Sequence, residues 1–192
     1  MEHLAAQGYP VPAVHELSDD GCDLVMERVE GRSMGEAVAR APWTLRRHAR
    51  VLAELHRQLH ALTAPDFLRA APLGDGDRVV HLDLHPLNVI VGRRGPVVID
   101  WSNAARGDPA IDVGLAWVLV AGGEIPGNRI MAKALGLGRS LFTASFLDGF
   151  DRAEIVRHLD AVVEYKAKDP NMAPQEIEVM RRLVERTRGS DR

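Results

Sequence analysis

A single cysteine, Cys22, leaves this chain of 192 residues no intrachain disulfide to form, so an oxidising compartment is not indicated. No basic block and no aromatic-interleaved basic stripe appears, which argues against a nucleic-acid partner. The uncharged apolar stretch Val113–Gly123 is too short to span a bilayer. The N-terminus lacks a basic region followed by an apolar run, so no signal peptide is expected and the protein reads as cytoplasmic. Internal repeats and low-complexity segments are missing as well. What remains is ordinary globular material: 46% hydrophobic, 27% charged, net charge −3, enough for one large domain or a lobe with a small appendage.

Along the chain, residues 2–7 read as the tail of a helix stopped by Gly8, Pro10 and Pro12. Strand-like runs follow near 13–17 and 23–29, with Ser18-Asp19-Asp20-Gly21 as the turn between them. Leu45, Ala49, Leu52, Leu55, Leu59 and Leu62 recur at helical spacing and predict a helix over 44–62. Val79-Val80, Val89-Ile90-Val91 and Val97-Val98-Ile99 are β-branched runs divided by polar or glycine-rich turns. From Asp108-Pro109 onward the pattern is helical, with Asp108 suited to an N-cap and Pro109 to the first helical position. Further helices are expected over 128–148, 152–167 and 174–188. The fold class is α+β, mainly helical, with a small sheet near its centre.

The chemistry-bearing segment is His81-Leu82-Asp83-Leu84-His85-Pro86-Leu87-Asn88, followed by Ile99-Asp100-Trp101. The strands flanking Gly92-Arg93-Arg94-Gly95 form a hairpin, and counting outward from Arg94 sets Val91 opposite Val97 and Asn88 opposite Asp100. Directly opposed side chains lie about 5 Å apart, a spacing that suits two oxygen ligands on one cation. Mg²⁺ takes few protein oxygens and completes its shell with waters and phosphate. Asp83, in a loop entered from a strand, is placed to aim a carboxylate at a substrate hydroxyl. A loop Asp near the hydroxyl, then an Asn and a second Asp on the metal, is the layout of kinase-type phosphoryl transfer.

HLDLHPLNVIV, then VIDW, then GDPAIDVG resembles the aminoglycoside phosphotransferase and choline kinase family. The three elements are similar to its His-Gly-Asp-x-x-x-x-Asn loop, its Ile-Asp-Trp strand end and its Gly-Asp-Pro-x-x-Asp helix start. The resemblance extends over about residues 2–190 and includes PVPAV and the hinge-like LVMERVEG. It implies a protein-kinase-like C-terminal lobe with small β-hairpins and a truncated N-terminal lobe. Residues 1–31 would be the remnant of that lobe and the hinge, and 32–192 the helical catalytic lobe. By resemblance Asp83 is the catalytic base or hydroxyl-orienting group, and Asn88 and Asp100 hold Mg²⁺. His81 and His85 brace the loop, with phosphate contact left open for His85, and Asp112 anchors the loop from the following helix. Main-chain groups of Glu27, Arg28 and Val29 would meet the base of ATP or GTP. The implied reaction moves the γ-phosphoryl group to a small-molecule hydroxyl. Leu82 departs from the family's glycine; if the position requires an unusual backbone angle, leucine strains it.

Other parts of a kinase are missing. The three lysines, Lys133, Lys166 and Lys168, all follow the loop, so none can be the lysine the family carries ahead of its hinge. Residues 1–22 hold Gly8 and Gly21 alone, so there is no Gly-x-Gly-x-x-Gly cover for phosphates. A fragment, a misplaced start and a member that has lost the lobe all fit. The competing function is therefore a kinase-like binding or regulatory protein without turnover. A third reading takes His81, Asp83 and His85 as a metallohydrolase cluster on one strand face. His56, beside the apolar stripe, is expected to be a buried, hydrogen-bonded histidine. Asp148, Asp151 and Glu154 could face an amine-bearing acceptor, but Asp151 and Glu154 also have capping spacing, and the cap is preferred. The acceptor itself is not encoded in any motif. With the lobe cover missing, apolar side chains near Val25, Met26, Val29, Val89 and Ile99 are expected to be exposed and to favour a homodimer.

Overall fold

The computed structural model describes residues 1–19, 23–122, 129–170 and 172–190. Asp20, Gly21 and Cys22, and the first residue of the helix expected at 128–148, lie outside the described residues. Helix α1 (Glu2–Ala6) ends as Gly8 adopts φ 77°, a left-handed angle that glycine takes without cost. β1 (Val14–Leu17) and β2 (Leu24–Met26) pair antiparallel with a bulge between Val14 and Glu16. Across the predicted turn, the Ser18 and Asp23 N–H groups donate to the Asp23 carbonyl and to Ser18 Oγ, each at 2.9 Å.

β3 (Arg32–Ser33) runs straight into α2 (Met34–Arg40), a helix the apolar pattern does not announce. Its signal is a capping box: Ser33 Oγ accepts the Glu36 N–H at 3.2 Å, and the Glu36 carboxylate accepts the Ser33 N–H at 3.0 Å. α3 (Leu45–His60) then buries its predicted stripe, with Ala49, Leu52 and Leu59 fully enclosed. His56 is enclosed with them, as expected, its Nδ1 2.9 Å from the Leu52 carbonyl.

β4 (Arg78–Val80), β5 (Val89–Gly92), β6 (Gly95–Val98) and β7 (Ala105–Gly107) build two small antiparallel sheets, β3–β5–β6 and β4–β7. Four helices complete the chain: α4 (Pro109–Gly122), α5 (Arg129–Leu147), α6 (Arg152–Lys166) and α7 (Pro174–Ser190). Asp108 Oδ1 accepts the Ala110 N–H at 2.8 Å, and Asp151 Oδ1 accepts those of Ala153 and Glu154 at 3.0 and 3.2 Å. Both act as the N-caps their positions suggest.

Helix α4 is the centre of the core. Residues Ala110 through Val118 are all buried, and the helix packs on α5, α6 and α7. The uncharged run from Val113 is thus a core helix, apolar on all sides because it is covered on all sides. Among the described residues no helix is long and apolar enough to cross a membrane. The architecture is a mainly helical α+β fold in which two of its three small sheets, β3–β5–β6 and β4–β7, carry the loop that follows β4.

Candidate active site

The loop is built from Asp112 outward. This residue lies in the first turn of α4, is fully buried, and accepts the N–H groups of His81 at 3.1 Å and Leu82 at 2.7 Å. His60 at the end of α3 brings Nε2 to 2.8 Å from the same carboxylate. Burial alone would raise this carboxyl, but the hydrogen bond and charge of His60, with His56 and His81 nearby, hold it well below the usual range. A charged acceptor with three donors therefore fixes the loop's first two residues.

That anchoring has work to do, because Leu82 has φ 62°. For a residue with a Cβ, the left-handed region costs about 1–2 kcal/mol. Among the described residues only Leu82 and Asp100 are non-glycine residues with positive φ, and both flank the proposed chemistry. Backbone strain of this kind persists where surrounding contacts over-determine it. Leu82 compensates in part by burying its side chain to 2% exposure.

Asp83 follows with both carboxylate oxygens engaged. Asn88 Nδ2 donates to Oδ2 at 3.1 Å and to the Asp83 carbonyl at 2.9 Å. Lys166 Nζ donates to Oδ1 at 2.9 Å. Burial raises the Asp83 carboxyl, yet the hydrogen bond and charge of Lys166, with His85 beside it, bring it down to about 2. His85 accepts the Leu87 N–H on Nδ1 at 3.3 Å and places Nε2 3.7 Å from Asp83 Oδ2. His81 is buried, with Nε2 3.1 Å from the Ile99 carbonyl, so that nitrogen carries the proton and Nδ1 is left without a partner. Burial lowers its pKa and keeps the ring neutral. The ring lies against Trp101, centroids 4.6 Å apart, and Trp101 Nε1 donates to the Val98 carbonyl at 3.0 Å.

The hairpin register differs from the expected one by a residue. Gly92 pairs with Gly95, so the turn pivots between Arg93 and Arg94 and the ladder runs Val91–Pro96, Ile90–Val97, Val89–Val98. Two-residue loops centre the pairing between their residues. Asn88 consequently lies opposite Ile99, whose N–H donates to the Asn88 carbonyl at 3.0 Å, and not opposite Asp100. Asp100 comes one residue later, with φ 62°, at the start of a 3-10 turn formed by Trp101–Asn103, and its Oδ1 accepts Ser102 Oγ at 2.7 Å. With Asn88 Nδ2 committed to Asp83, its amide oxygen is the atom left for a cation. An amide oxygen and an exposed carboxylate are hard donors that fit Mg²⁺ better than a soft metal. Among the described residues no group of three or more His, Cys, Asp or Glu is placed to hold a metal. His81, Asp83 and His85 are therefore not a metallohydrolase cluster.

The hinge residues stand apart from the loop. Glu27, Arg28 and Val29 line a cavity of about 970 Å³ between this segment and the β5–β6 turn. The approach is close: a Cβ on Gly92 would fall 2.4 Å from the Glu30 carbonyl oxygen. The Glu27 N–H donates to the Ala13 carbonyl at 2.7 Å, and its carboxylate pairs with Arg94. The exposed patch expected beside it is partly corrected. Val25 and Met26 are 50% and 43% exposed, but Val89, the first residue of β5, is fully buried, and Val29 and Ile99 are half-buried.

Two residues at the site escape the sequence motifs. His60 follows His56 by one helical turn, and Lys166 continues the α6 stripe of Ile155, Leu159 and Val162. A lysine on an apolar stripe is a signal in itself, since lysine is almost never buried without a partner. The acidic residues Asp151 and Glu154 are at the other end of α6 from Lys166. A second cavity, of about 900 Å³, is lined there by Trp117, Arg139, Arg152 and Arg182.

Residues 65–154 match the profile described as the phosphotransferase enzyme family. No curated protein matches the chain. Among solved structures, an amicoumacin kinase, hAmiN, in complex with AMP-PNP, Ca²⁺ and Ami superposes with a TM-score of 0.53 at 15% identity, covering 98% of this chain and 75% of that one. An aminoglycoside-3'-phosphotransferase of type VIII superposes with a TM-score of 0.53 at 21% identity, covering 96% of this chain and 76% of that one. Those likenesses show a shared fold. The resemblance read from HLDLHPLN, IDW and GDPAID thus holds: from residue 65 to 154 this chain is similar to the phosphotransferase enzyme family, on a protein-kinase-like fold.

Proposed function

We propose that this site binds a Mg²⁺–nucleoside triphosphate, ATP or GTP, and directs its γ-phosphoryl group to a hydroxyl of a small molecule in the cytoplasm. The observation that carries this reading is the Asp83–Asn88 contact at 3.1 Å in a strained loop pinned by a buried Asp112. Asp83 orients the acceptor hydroxyl and takes its proton as transfer proceeds. Asn88 and Asp100 hold the cation, which when bound supplies charge neutralisation to the phosphates. His81, His85 and Asp112 keep the loop in shape. With the Glu27 N–H already used by Ala13, the hinge N–H groups available to a nucleotide base are those of Arg28 and Val29. Residues 1–31 act as hinge and lobe remnant, residues 32–192 as the catalytic lobe.

The alternative, a kinase-like binding or regulatory protein, is favoured by one observation: no lysine precedes the loop, and residues 1–22 hold no glycine-rich cover. Weak Mg·ATP binding and little turnover are therefore expected from this chain by itself. A homodimer through the exposed β1–β2 face would cover Leu17, Leu24, Val25 and Met26.

Asp83→Asn separates the two readings. For a phosphotransferase, calorimetry with Mg·AMP-PNP finds parent affinity in Asp83→Asn, while ATP-dependent transfer to a hydroxyl library, present in the parent, disappears. Parent protein that binds Mg·AMP-PNP yet transfers to none of the library points to the regulatory reading.

A further inference from the structure

The carboxylate that should face the acceptor already has an ammonium group beside it. Lys166 Nζ is 2.9 Å from Asp83 Oδ1 and 3.5 Å from Asp169 Oδ2, and its side chain is 7% exposed. Burying a lysine is costly unless it is paired, so this ammonium is held at Asp83 by the fold. It ends α6, whose upstream residues Ile155, Leu159 and Val162 are locked in the core.

Among the described acidic residues near the start of α6, Asp148 is exposed and its neighbours are engaged elsewhere. Asp151 caps α6, Glu154 lies 3.6 Å from Arg157, and Asp108 lies 3.5 Å from His158. At 1.5 Å per residue, the start of α6 is roughly 20 Å from Lys166. The cavity at that far end is lined by Arg139, Arg152 and Arg182 together with Glu176, and Arg182 is already held by Glu178, so its charge is mixed.

On the phosphotransferase reading, we infer that Lys166 sets the acceptor class. It occupies the place at Asp83 that an ammonium of the acceptor would take, so the phosphorylated hydroxyl belongs to a neutral or anionic molecule. An ammonium beside that hydroxyl would have to displace Lys166 from Asp83 Oδ1, a place the fold already fills. This distinguishes the chain from a kinase whose acceptor is a polyammonium sugar, although the fold is shared.

Calorimetry with kanamycin, a polyammonium sugar, tests this without nucleotide, so the result does not depend on Mg·AMP-PNP binding. The parent and Lys166→Arg should show no binding, while Lys166→Met should gain affinity by roughly tenfold or more through the freed carboxylate. The gain should vanish in Asp83→Asn/Lys166→Met. Lys166→Gln carries the same expectation should Lys166→Met fail to fold by circular dichroism. Micromolar binding by the parent, no gain on removing the charge, or a gain that survives Asp83→Asn would each overturn the proposal.

Discussion

The loop from His81 to Asn88 and the β1–β2 hairpin sit in one chain under opposite rules. The loop carries an unfavourable backbone angle and a buried charge, and Asp112, Lys166, Asn88 and the Ile99 carbonyl each hold a part of it. The described residues of the hairpin have no positive φ and pack chiefly on each other, yet Leu17, Leu24, Val25 and Met26 stay at 61%, 41%, 50% and 43% exposure. In the loop, local strain is tolerated because tertiary contacts outvote it. In the hairpin, tertiary contacts are few and apolar area stays open. Stability should therefore depend steeply on the loop's partners and hardly at all on the hairpin's side chains.

Removing the loop's anchor should have the largest effect. Asp112→Ala deletes the acceptor of two backbone N–H groups and the partner of His60. Breaking a buried charged network costs about 3–5 kcal/mol, and at roughly 2–4 °C per kcal/mol for a chain of this size the melting temperature should fall by about 10 °C. A melting temperature unchanged by Asp112→Ala would mean that the loop does not depend on this carboxylate.

Acid should find the same region. His56 is neutral and buried, with a pKa lowered to about 4 by burial. Unfolding lets it bind a proton at its ordinary value near 6.5, so the unfolded state holds more protons between pH 6.5 and 4. Stability is full above pH 6.5 and declines as pH falls toward 4, by on the order of 3 kcal/mol from this group. The depressed Asp112 and Asp83 carboxylates add a second loss below their ordinary range near pH 4. Urea unfolding at stepped pH should show the upper decline shrink in His56→Leu, with the lower one retained. An unchanged upper slope would assign it to other groups.

Leu82 gives a smaller effect of unusual sign. Glycine within regular structure is normally less stable than alanine, but at φ 62° the preference reverses. Both truncations lose the buried leucine side chain, and Leu82→Gly should then exceed Leu82→Ala in stability by about 1 kcal/mol. If Leu82→Ala is the more stable in denaturant titrations, the left-handed backbone at this position is wrong.

The smallest effect is expected in the hairpin. Val25→Ser and Met26→Ser should shift monomer stability by no more than about 0.5 kcal/mol. They should nonetheless lower the dimer fraction in sedimentation at high concentration, since apolar patches of this kind favour association. A large fall in monomer melting temperature would place these side chains in a core.

Much of this was legible before any coordinates. The α3 stripe, the caps at Asp108 and Asp151, and the sequence of loop, strand and helix are local signals, each set by residues within a few positions of one another. The strain at Leu82 was foreshadowed by a leucine where related loops have glycine. The hairpin pairing differs from the expected one because a two-residue turn pivots between its residues and not on one of them, which shifts every partner by one. Helix α2 has no long apolar stripe, and Ser33 and Glu36 alone announce its start. Lys166 and His60 could not be assigned from spacing, because their partners lie 83 and 52 residues away and are set by how helices pack. Their positions along apolar stripes were the available clue.

The most direct test concerns the two oxygen ligands flanking the hairpin. Calorimetry should be run with AMP-PNP, with and without Mg²⁺, on the parent and on Asp100→Ala, whose exposed side chain makes the substitution mild for the fold. The parent should bind the nucleotide weakly and more tightly when Mg²⁺ is present, and Asp100→Ala should lose the Mg²⁺-dependent part while keeping the remainder. Asp100→Ala that binds Mg·AMP-PNP as the parent does would contradict the assignment of this site.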